Sequence, residues 1–161
     1  MTADEMLELC EVTQFIYREA RLQDDHAYAD WESLWADDGV YWVPANGEDI
    51  DPDAQMSIIY DNRSRIALRV GQLRTGKRHT QLPRSRLRRV ASNIELIDRQ
   101  GDTLKVMANA MIFESNSRGE TVWATRNEYT LRRVDGVLRM VRKKVVLANN
   151  DSALYSLSFL I

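Results

Sequence analysis

Three consecutive segments in the second half of the chain have the composition of β-strands: TLKVMANAMIFE (103–114), TVWATRNEYTLRRV (121–134) and VLRMVRKKVVL (137–147). All three segments are rich in β-branched and aromatic residues, which suit a pleated, half-buried strand. Asp135-Gly136, between the last two segments, is a strong two-residue hairpin signal, and a turn around Gly119 separates the first two. Together with a fourth segment of the same character over residues 85–97, they predict an antiparallel meander of four strands.

Apolar side chains occupy both alternating sets of the segment 103–114. Leu104, Val106 and Ile112 belong to one set, and Met107 and Phe113 belong to the other. Successive strand residues point to opposite faces of a sheet. We therefore expect this strand to be covered on both faces.

The first half of the chain has helical periodicity. Apolar residues recur at three- and four-residue spacing from Asp4 to Asp24, and Thr2 or Asp4 is placed to cap the start. A second helix is predicted over residues 25–36 and is expected to end at Gly39.

Two short strands and a third helix complete the pattern. The runs Val40–Val43, closed by Pro44, and Met56–Tyr60 predict the strands, and Asp61 is expected to cap a helix that reaches Leu73. Helices followed by a meander make an α+β fold. The length suits a single domain over residues 1–161.

Composition indicates the compartment. Hydrophobic residues make up 44% of the chain, yet no apolar run approaches the roughly 20 residues that a membrane helix needs. The start, Met1-Thr2-Ala3-Asp4-Glu5, is acidic, unlike the basic start of a secretory signal. A single cysteine, Cys10, excludes an internal disulfide and suits a reducing compartment. We expect a cytoplasmic protein with no membrane segment.

Charge is distributed unevenly. The first 60 residues hold 15 acids and two bases, whereas the rest hold nine acids and 20 bases. Seven of those bases lie between Arg74 and Arg89, with no acid and no aromatic residue among them. Nucleic-acid binding calls for interleaved aromatic residues and a basic domain, but the sequence pI is about 5.7. We expect Arg84 and Arg86 to contact a protein partner or acids of this chain, with a solvated loop as the alternative.

The count of soft ligands restricts the cofactors that this chain can bind. A Rieske cluster requires two Cys and two His, but the chain has one Cys and two His. A zinc site with three or four thiolate ligands is excluded for the same reason, because the chain has one Cys. His26 and His79 lie far apart and share no ligand spacing. We expect no metal, no cofactor and no catalytic residue on this chain.

Six stretches, in this order along nearly the whole chain, resemble the small (β) subunit of aromatic-ring-hydroxylating dioxygenases. They are FIYREARL (15–22), WESLWADDGVYWVP (31–44), MSIIYDNR (56–63), PRSR (83–86), SN (92–93) and RKKVVLANND (142–151). The compact length and the segment Tyr41-Trp42-Val43-Pro44 look more like the benzoate- and anthranilate-type members. Arg88-Arg89 departs from the pattern, because many relatives have a His there.

The resemblance implies a cystatin-like (nuclear-transport-factor-like) roll, in which N-terminal helices pack on a strongly curved, mainly antiparallel sheet. It also implies a non-catalytic subunit of a heteromeric oxygenase that hydroxylates aromatic compounds for catabolism. In such enzymes the large α subunit carries a Rieske [2Fe–2S] cluster and a mononuclear Fe(II), and a reductase delivers electrons from NAD(P)H. The expected assembly is an α3β3 hexamer, within which this chain forms a trimer.

The apolar tail of residues 155–161 is expected to pack as a final β segment or against a neighbouring subunit. Under the subunit hypothesis, the residues expected at the partner interface are Trp42, Arg84, Arg86, Tyr155, Phe159 and Ile161.

Two other functions stay open for the same fold. Stand-alone isomerases and dehydratases use acids and tyrosines inside a conical pocket as bases and oxyanion donors, and the candidates here are Asp38 and Tyr41. A helix end at Asp37-Asp38 and core packing of Tyr41-Trp42 are the favoured explanation of these residues, because adjacent residues on an irregular segment seldom face one cavity. The third hypothesis is a small-ligand-binding module.

Overall fold

The computed structural model describes residues 1–75, 84–151, 157 and 159–161. Three helices occupy Ala3–Asp24 (α1), Tyr28–Glu32 (α2) and Arg63–Thr75 (α3). The strands are Trp35–Pro44 (β1), Ser57–Asp61 (β2), Arg86–Gln100 (β3), Thr103–Asn116 (β4), Gly119–Val134 (β5) and Val137–Leu147 (β6). No helix within these ranges is long and apolar enough to cross a membrane.

The six strands form one sheet in the order β2-β1-β6-β5-β4-β3. Neighbouring strands run antiparallel except for β1 and β6, which are parallel. The predicted four-strand meander is therefore confirmed. Asp135 and Gly136 both have positive φ, at 52° and 80°, as a tight hairpin turn of the primed type requires.

Side-chain caps set the starts of α1 and α3. The Thr2 hydroxyl accepts a hydrogen bond from the Glu5 amide at 3.2 Å, and the Glu5 carboxylate accepts one from the Thr2 amide at 2.7 Å. This capping box confirms Thr2 as the N-cap. The prediction of Asp61 as the cap of α3 was wrong, because the Asn62 side chain accepts from the Arg65 amide at 3.0 Å. Asp61 instead forms an ion pair with Arg69.

The predicted second helix is wrong beyond Glu32, because β1 begins at Trp35. Gly39 lies inside this strand rather than at a helix end. A Cβ at position 39 would come 2.6 Å from Cε3 of Trp35 and 3.4 Å from the Met140 carbonyl oxygen. Glycine is required here because β6 and an indole ring approach the backbone closely.

The core lies between the helices and the inner face of the sheet. The inner set of β4, which includes Leu104, Val106 and Ile112, is buried. On the opposite face, Met111 and Phe113 are 58% and 43% exposed. The expected cover on both faces is therefore absent within the described part of this chain.

The two oppositely charged halves neutralise each other in part. Of the ten ion pairs between described residues, eight join an acid of the first 60 residues to a base of the remainder. The most buried of these are Lys143–Glu19 at 2.9 Å and Arg89–Asp24 at 2.7 Å. Much of the charge asymmetry thus acts within the fold.

Candidate functional site

A charged cluster occupies the interior of the roll. Glu19 on α1 and Lys143 on β6 are 2.9 Å apart, and each side chain is only 1% exposed. The Glu19 carboxylate also accepts hydrogen bonds from Nε1 of Trp31 at 3.1 Å and from the hydroxyl of Tyr129 at 2.9 Å. A buried carboxylate with a cation and two neutral donors has its charge and its lone pairs well satisfied.

Local structure brings these groups together. Glu19 lies on the same inward stripe of α1 as Ile16 and Leu22, at helical spacing. On the sheet, Lys143 stands directly opposite Tyr129 on β5 and Tyr41 on β1. Side chains opposite each other on neighbouring strands share a face, so the lysine lies between two phenol rings, with its Nζ 5.6 and 6.0 Å from their centroids.

Burial shifts the proton affinities of this cluster. Desolvation raises the pKa of Tyr41, and desolvation together with the nearby Glu19 charge raises the pKa of Tyr129 well above its usual value. Desolvation lowers the pKa of Lys143, and the adjacent Glu19 carboxylate opposes that shift. Both phenols therefore remain protonated near neutral pH and can donate hydrogen bonds.

The C-terminal segment Phe159–Ile161 fills the remainder of the interior, and all three residues are buried. The backbone oxygen of Ile161 accepts from the Tyr41 hydroxyl and from Nζ of Lys143, the latter at 3.4 Å. The space left beside it is a cavity of about 10 Å³, enough for about one water molecule. Small-molecule pockets are roughly 300–1,000 Å³, so this cavity, as the described residues bound it, is too small for a substrate.

Asp38 and Tyr41 are not brought into one site. Tyr41 is fully buried inside the roll, whereas Asp38 is exposed and pairs with the guanidinium of Arg132 at 2.8 and 3.1 Å. That hydrogen-bonded guanidinium lowers the pKa of the Asp38 carboxyl. The two residues predicted for an acid–base pocket thus face different environments.

Two hydrogen-bond contacts of its ring explain the position of His26. Its backbone has a positive φ of 54°, Nδ1 lies 2.8 Å from the Tyr28 hydroxyl, and Nε2 lies 2.8 Å from the Ser85 carbonyl oxygen. Both ring nitrogens are engaged in tying the end of α1 to the start of β3. His79 lies outside the described residues.

The outer face of the sheet carries a contiguous set of exposed apolar side chains, which we call the outer apolar patch: Val90, Met111, Phe113 and Val122. Val90 stands opposite Met111, and Phe113 stands opposite Val122. Residues paired in this way lie about 5 Å apart at Cβ. Both members of each pair are apolar, and the two pairs together extend the patch across β3, β4 and β5.

An arginine groove adjoins the patch. It has a volume of about 560 Å³ and is lined by Asp24, His26, Arg84, Ser85, Arg86, Leu87, Arg88, Phe113 and Ser115. Arg84 and Arg86 are exposed, and the Arg84 guanidinium lies 5.4 Å from the Tyr28 ring centroid. Because Phe113 belongs to both, the groove and the patch form one surface with apolar and cationic parts.

Trp42, Phe159 and Ile161, which were also predicted for the partner interface, do not line the arginine groove. Trp42 is 2% exposed, and its ring is flanked by Arg142 and Lys144 at 5.0 and 4.8 Å. Phe159 and Ile161 face the core of this chain. Tyr155 lies outside the described residues, and partner contact by these four residues remains a prediction.

Sequence reasoning missed the Glu19–Lys143 pair and the outer apolar patch. A signal for the pair was present, because the charged Glu19 lies at helical spacing among the apolar residues Phe15, Ile16 and Leu22 of α1. The signal for the patch was the second apolar set of β4, which lacks cover in the described part of the chain.

Comparison with known proteins identifies relatives. Residues 18–152 match the model of the family described as "Ring hydroxylating beta subunit". The chain is 33% identical over 146 residues to the toluate 1,2-dioxygenase subunit beta of Pseudomonas putida, with 86% of this chain and 89% of that protein covered. It superposes with a TM-score of 0.75 and 27% identity on the beta subunit of the benzoate 1,2-dioxygenase from Burkholderia mallei, covering 88% of this chain and 91% of that one.

A third comparison concerns the fold alone. An NTF2-like protein with a cystatin-like fold from Novosphingobium aromaticivorans superposes with a TM-score of 0.64 at 20% identity, covering 90% of this chain and 85% of that one. The predicted cystatin-like architecture, with helices packed on a mainly antiparallel sheet, is therefore confirmed.

Proposed function

The chain belongs to the family of ring-hydroxylating beta subunits, and we propose that its task is assembly: the outer apolar patch and the arginine groove bind the other subunits of an aromatic-ring-hydroxylating oxygenase. A beta subunit of this family works beside a large oxygenase subunit. We further propose an α3β3 hexamer in the cytoplasm, acting in the catabolism of an aromatic compound.

The observation that carries this proposal is the outer apolar patch. Four large apolar side chains, 43–67% exposed, lie together on one sheet face. Monomeric proteins seldom leave such contiguous apolar surface in water, and a large patch of this kind marks an interaction site. The exposed Arg84 and Arg86 beside it suit carboxylates of a partner, because guanidinium groups bind carboxylates with two hydrogen bonds.

The residues of this chain do not fit a Rieske cluster. Cys10 stands alone and exposed on α1, and both ring nitrogens of His26 are engaged by Tyr28 and Ser85. The ligand count of the sequence leads to the same conclusion. We therefore propose that the cluster and the mononuclear Fe(II) belong to the large subunit and that a reductase supplies its electrons from NAD(P)H.

Paired substitutions on the patch test the assembly role. Met111→Ser with Phe113→Ser should weaken association with the large subunit by about tenfold or more, because the buried apolar area is lost. The free energy of unfolding of the isolated chain should change by less than about 0.5 kcal/mol, as is usual for exposed positions. Leu68→Ser on the exposed surface of α3 is the matched control and should leave association unchanged. Equal affinity of the patch variant and the control would contradict the proposal.

A charge reversal tests the groove. Arg86→Glu should weaken association most at low ionic strength, because an exposed charge contact is screened by salt. Sedimentation velocity of mixtures at two salt concentrations measures the effect. If Arg86→Glu leaves the affinity unchanged at both salt concentrations, Arg86 is a solvated residue that does not contact the partner.

A further inference from the structure

Asn150 holds the end of β1 and the loop that follows it. This residue is 8% exposed, and its side-chain amide binds the loop backbone on both sides. Its Oδ1 accepts a hydrogen bond from the Gly47 amide at 3.0 Å, and its Nδ2 donates to the carbonyl oxygens of Gly47 at 2.8 Å and Pro44 at 3.4 Å. The Asn150 backbone oxygen also accepts from the Asn46 amide at 3.0 Å. One residue beyond the end of β6 therefore fixes the backbone of residues 44–47.

This loop contains the one Asn-Gly step of the sequence, Asn46-Gly47. Asn46 is exposed, and both residues have positive φ, 58° at Asn46 and 115° at Gly47. Within the described part of the chain, the Asn46 side-chain amide makes no hydrogen bond. A glycine after asparagine leaves the backbone nitrogen between them unhindered, because glycine has no Cβ. The Asn46 carboxamide and the Gly47 nitrogen are the two groups that react in asparagine deamidation.

Deamidation at this step needs no reagent other than water. The Gly47 nitrogen loses its proton and attacks Cγ of Asn46, the bond from Cγ to Nδ2 breaks, and Nδ2 takes up a proton and leaves as ammonia. Water then opens the cyclic imide at one of its two carbonyl carbons. The product has aspartate or isoaspartate at position 46.

We propose that Asn46 is a site of covalent modification by deamidation, and that the hydrogen bonds of Asn150 keep it unreactive in the folded chain. The attacking nitrogen is the atom whose proton is donated to Oδ1 of Asn150. The reaction requires loss of this proton and rotation of the backbone between Asn46 and Gly47. Because Asn150 hinders both, the loop must open locally before Asn46 reacts. This proposal goes beyond the assembly role and does not depend on it.

The modification alters the loop in two ways. It adds a negative charge beside Glu48 and Asp49. The isoaspartate product also lengthens the backbone by one carbon between positions 46 and 47, so Gly47 no longer meets the Asn150 side chain while Pro44 keeps its place. The modified chain therefore has a looser connection between β1 and β2.

Mass spectrometry of the aged chain tests the proposal. The unmodified chain and Asn150→Ala are incubated in mildly alkaline buffer, and the peptide that contains position 46 is followed for the mass increase of deamidation. Asn150→Ala should react about tenfold faster, because losing the side-chain hydrogen bonds raises the open fraction of the loop by at least that factor. Asn149→Ala, at the exposed neighbouring position, is the matched control and should react at the rate of the unmodified chain. Equal rates in Asn150→Ala and Asn149→Ala would overturn the proposal.

Two measurements on the unmodified chain keep the test valid if Asn150→Ala does not fold. The Gly47 amide should exchange with solvent at least about tenfold more slowly in the folded chain than in urea, and deamidation should be slowed by a similar factor. The proposal is wrong if the Gly47 amide exchanges at its unfolded rate, or if folded and unfolded chains deamidate equally fast.

A further variant checks the reacting residue. Asn46→Gly removes the carboxamide and tolerates the positive φ of this position, so the mass increase of this peptide should disappear. An increase that persists in Asn46→Gly would place the reaction at another residue and contradict the assignment of Asn46.

Discussion

Replacing Lys143, the cation beside Glu19, by an apolar residue of similar size should destabilise the fold. The loss should be larger than the change in packing at position 143 explains. In Lys143→Met the side chain keeps a similar length and remains apolar, but the Glu19 carboxylate is left with only neutral donors, Trp31 and Tyr129. Breaking a buried ion pair by removing one partner costs about 3–5 kcal/mol, because the remaining charge is uncompensated. We expect a loss in this range for Lys143→Met.

The second half of this prediction separates charge from packing. Glu19→Gln keeps an acceptor for Trp31 and Tyr129 and removes the buried charge. Added to Lys143→Met, it should restore about 2 kcal/mol, since a neutral replacement of both partners is often close to neutral in stability. The double variant would then be more stable than Lys143→Met alone.

Urea unfolding followed by far-UV circular dichroism measures these differences through the transition midpoint. The slope of the transition should be the same for the unmodified chain and the two variants, so that midpoint shifts report stability alone. A loss below about 1 kcal/mol for Lys143→Met, or a double variant less stable than the single one, would refute the ion-pair argument.

Three further outcomes follow from the same structure. Ile161→Ala should destabilise the isolated chain by about 2–4 kcal/mol in urea; unaltered stability would mean that the segment does not contribute to the core. Gly39→Ala should lower the free energy of unfolding by about 1–3 kcal/mol, because the added Cβ has no room. Gly71→Ala, whose Cβ would meet no atom within 4 Å, should be neutral or stabilising, and thermal melts of the two variants measure the difference. Burial raises the pKa of Tyr41 and Tyr129, so these two groups keep protons in the folded chain that the unfolded chain loses above about pH 10, and together they should lower stability above that pH by up to about 2.7 kcal/mol per unit. Tyr41→Phe should make that decline shallower by about 1.4 kcal/mol per unit, and an equal slope in the variant would contradict the assignment.

The sequence predicted those features of the fold that depend on residues close together along the chain. The hairpin turn at Asp135-Gly136 and the capping box at Thr2 each depend on residues within a few positions of one another. Both were therefore visible in the sequence. Gly39 was misplaced because a helix end and a close approach between strands both select glycine, and only the second involves residues distant in sequence.

The candidate site depended on contacts that sequence spacing does not encode. The apolar tail indicated burial, yet composition does not distinguish the core of this chain from the surface of a partner. Lys143 lies in a basic run, and only the pairing of β6 with β1 and β5 turns it inward toward Glu19. The second apolar set of β4 pointed to a covered face, and the described residues leave that face open.

Native mass spectrometry of this chain co-expressed with the large oxygenase subunit of the same organism decides whether the chain acts in assembly. We expect a complex with equal numbers of the two chains, three of each, in which iron is present only when the large subunit is present. A chain that remains unassociated beside its large subunit, or that hydroxylates an aromatic compound by itself, would contradict the assembly role.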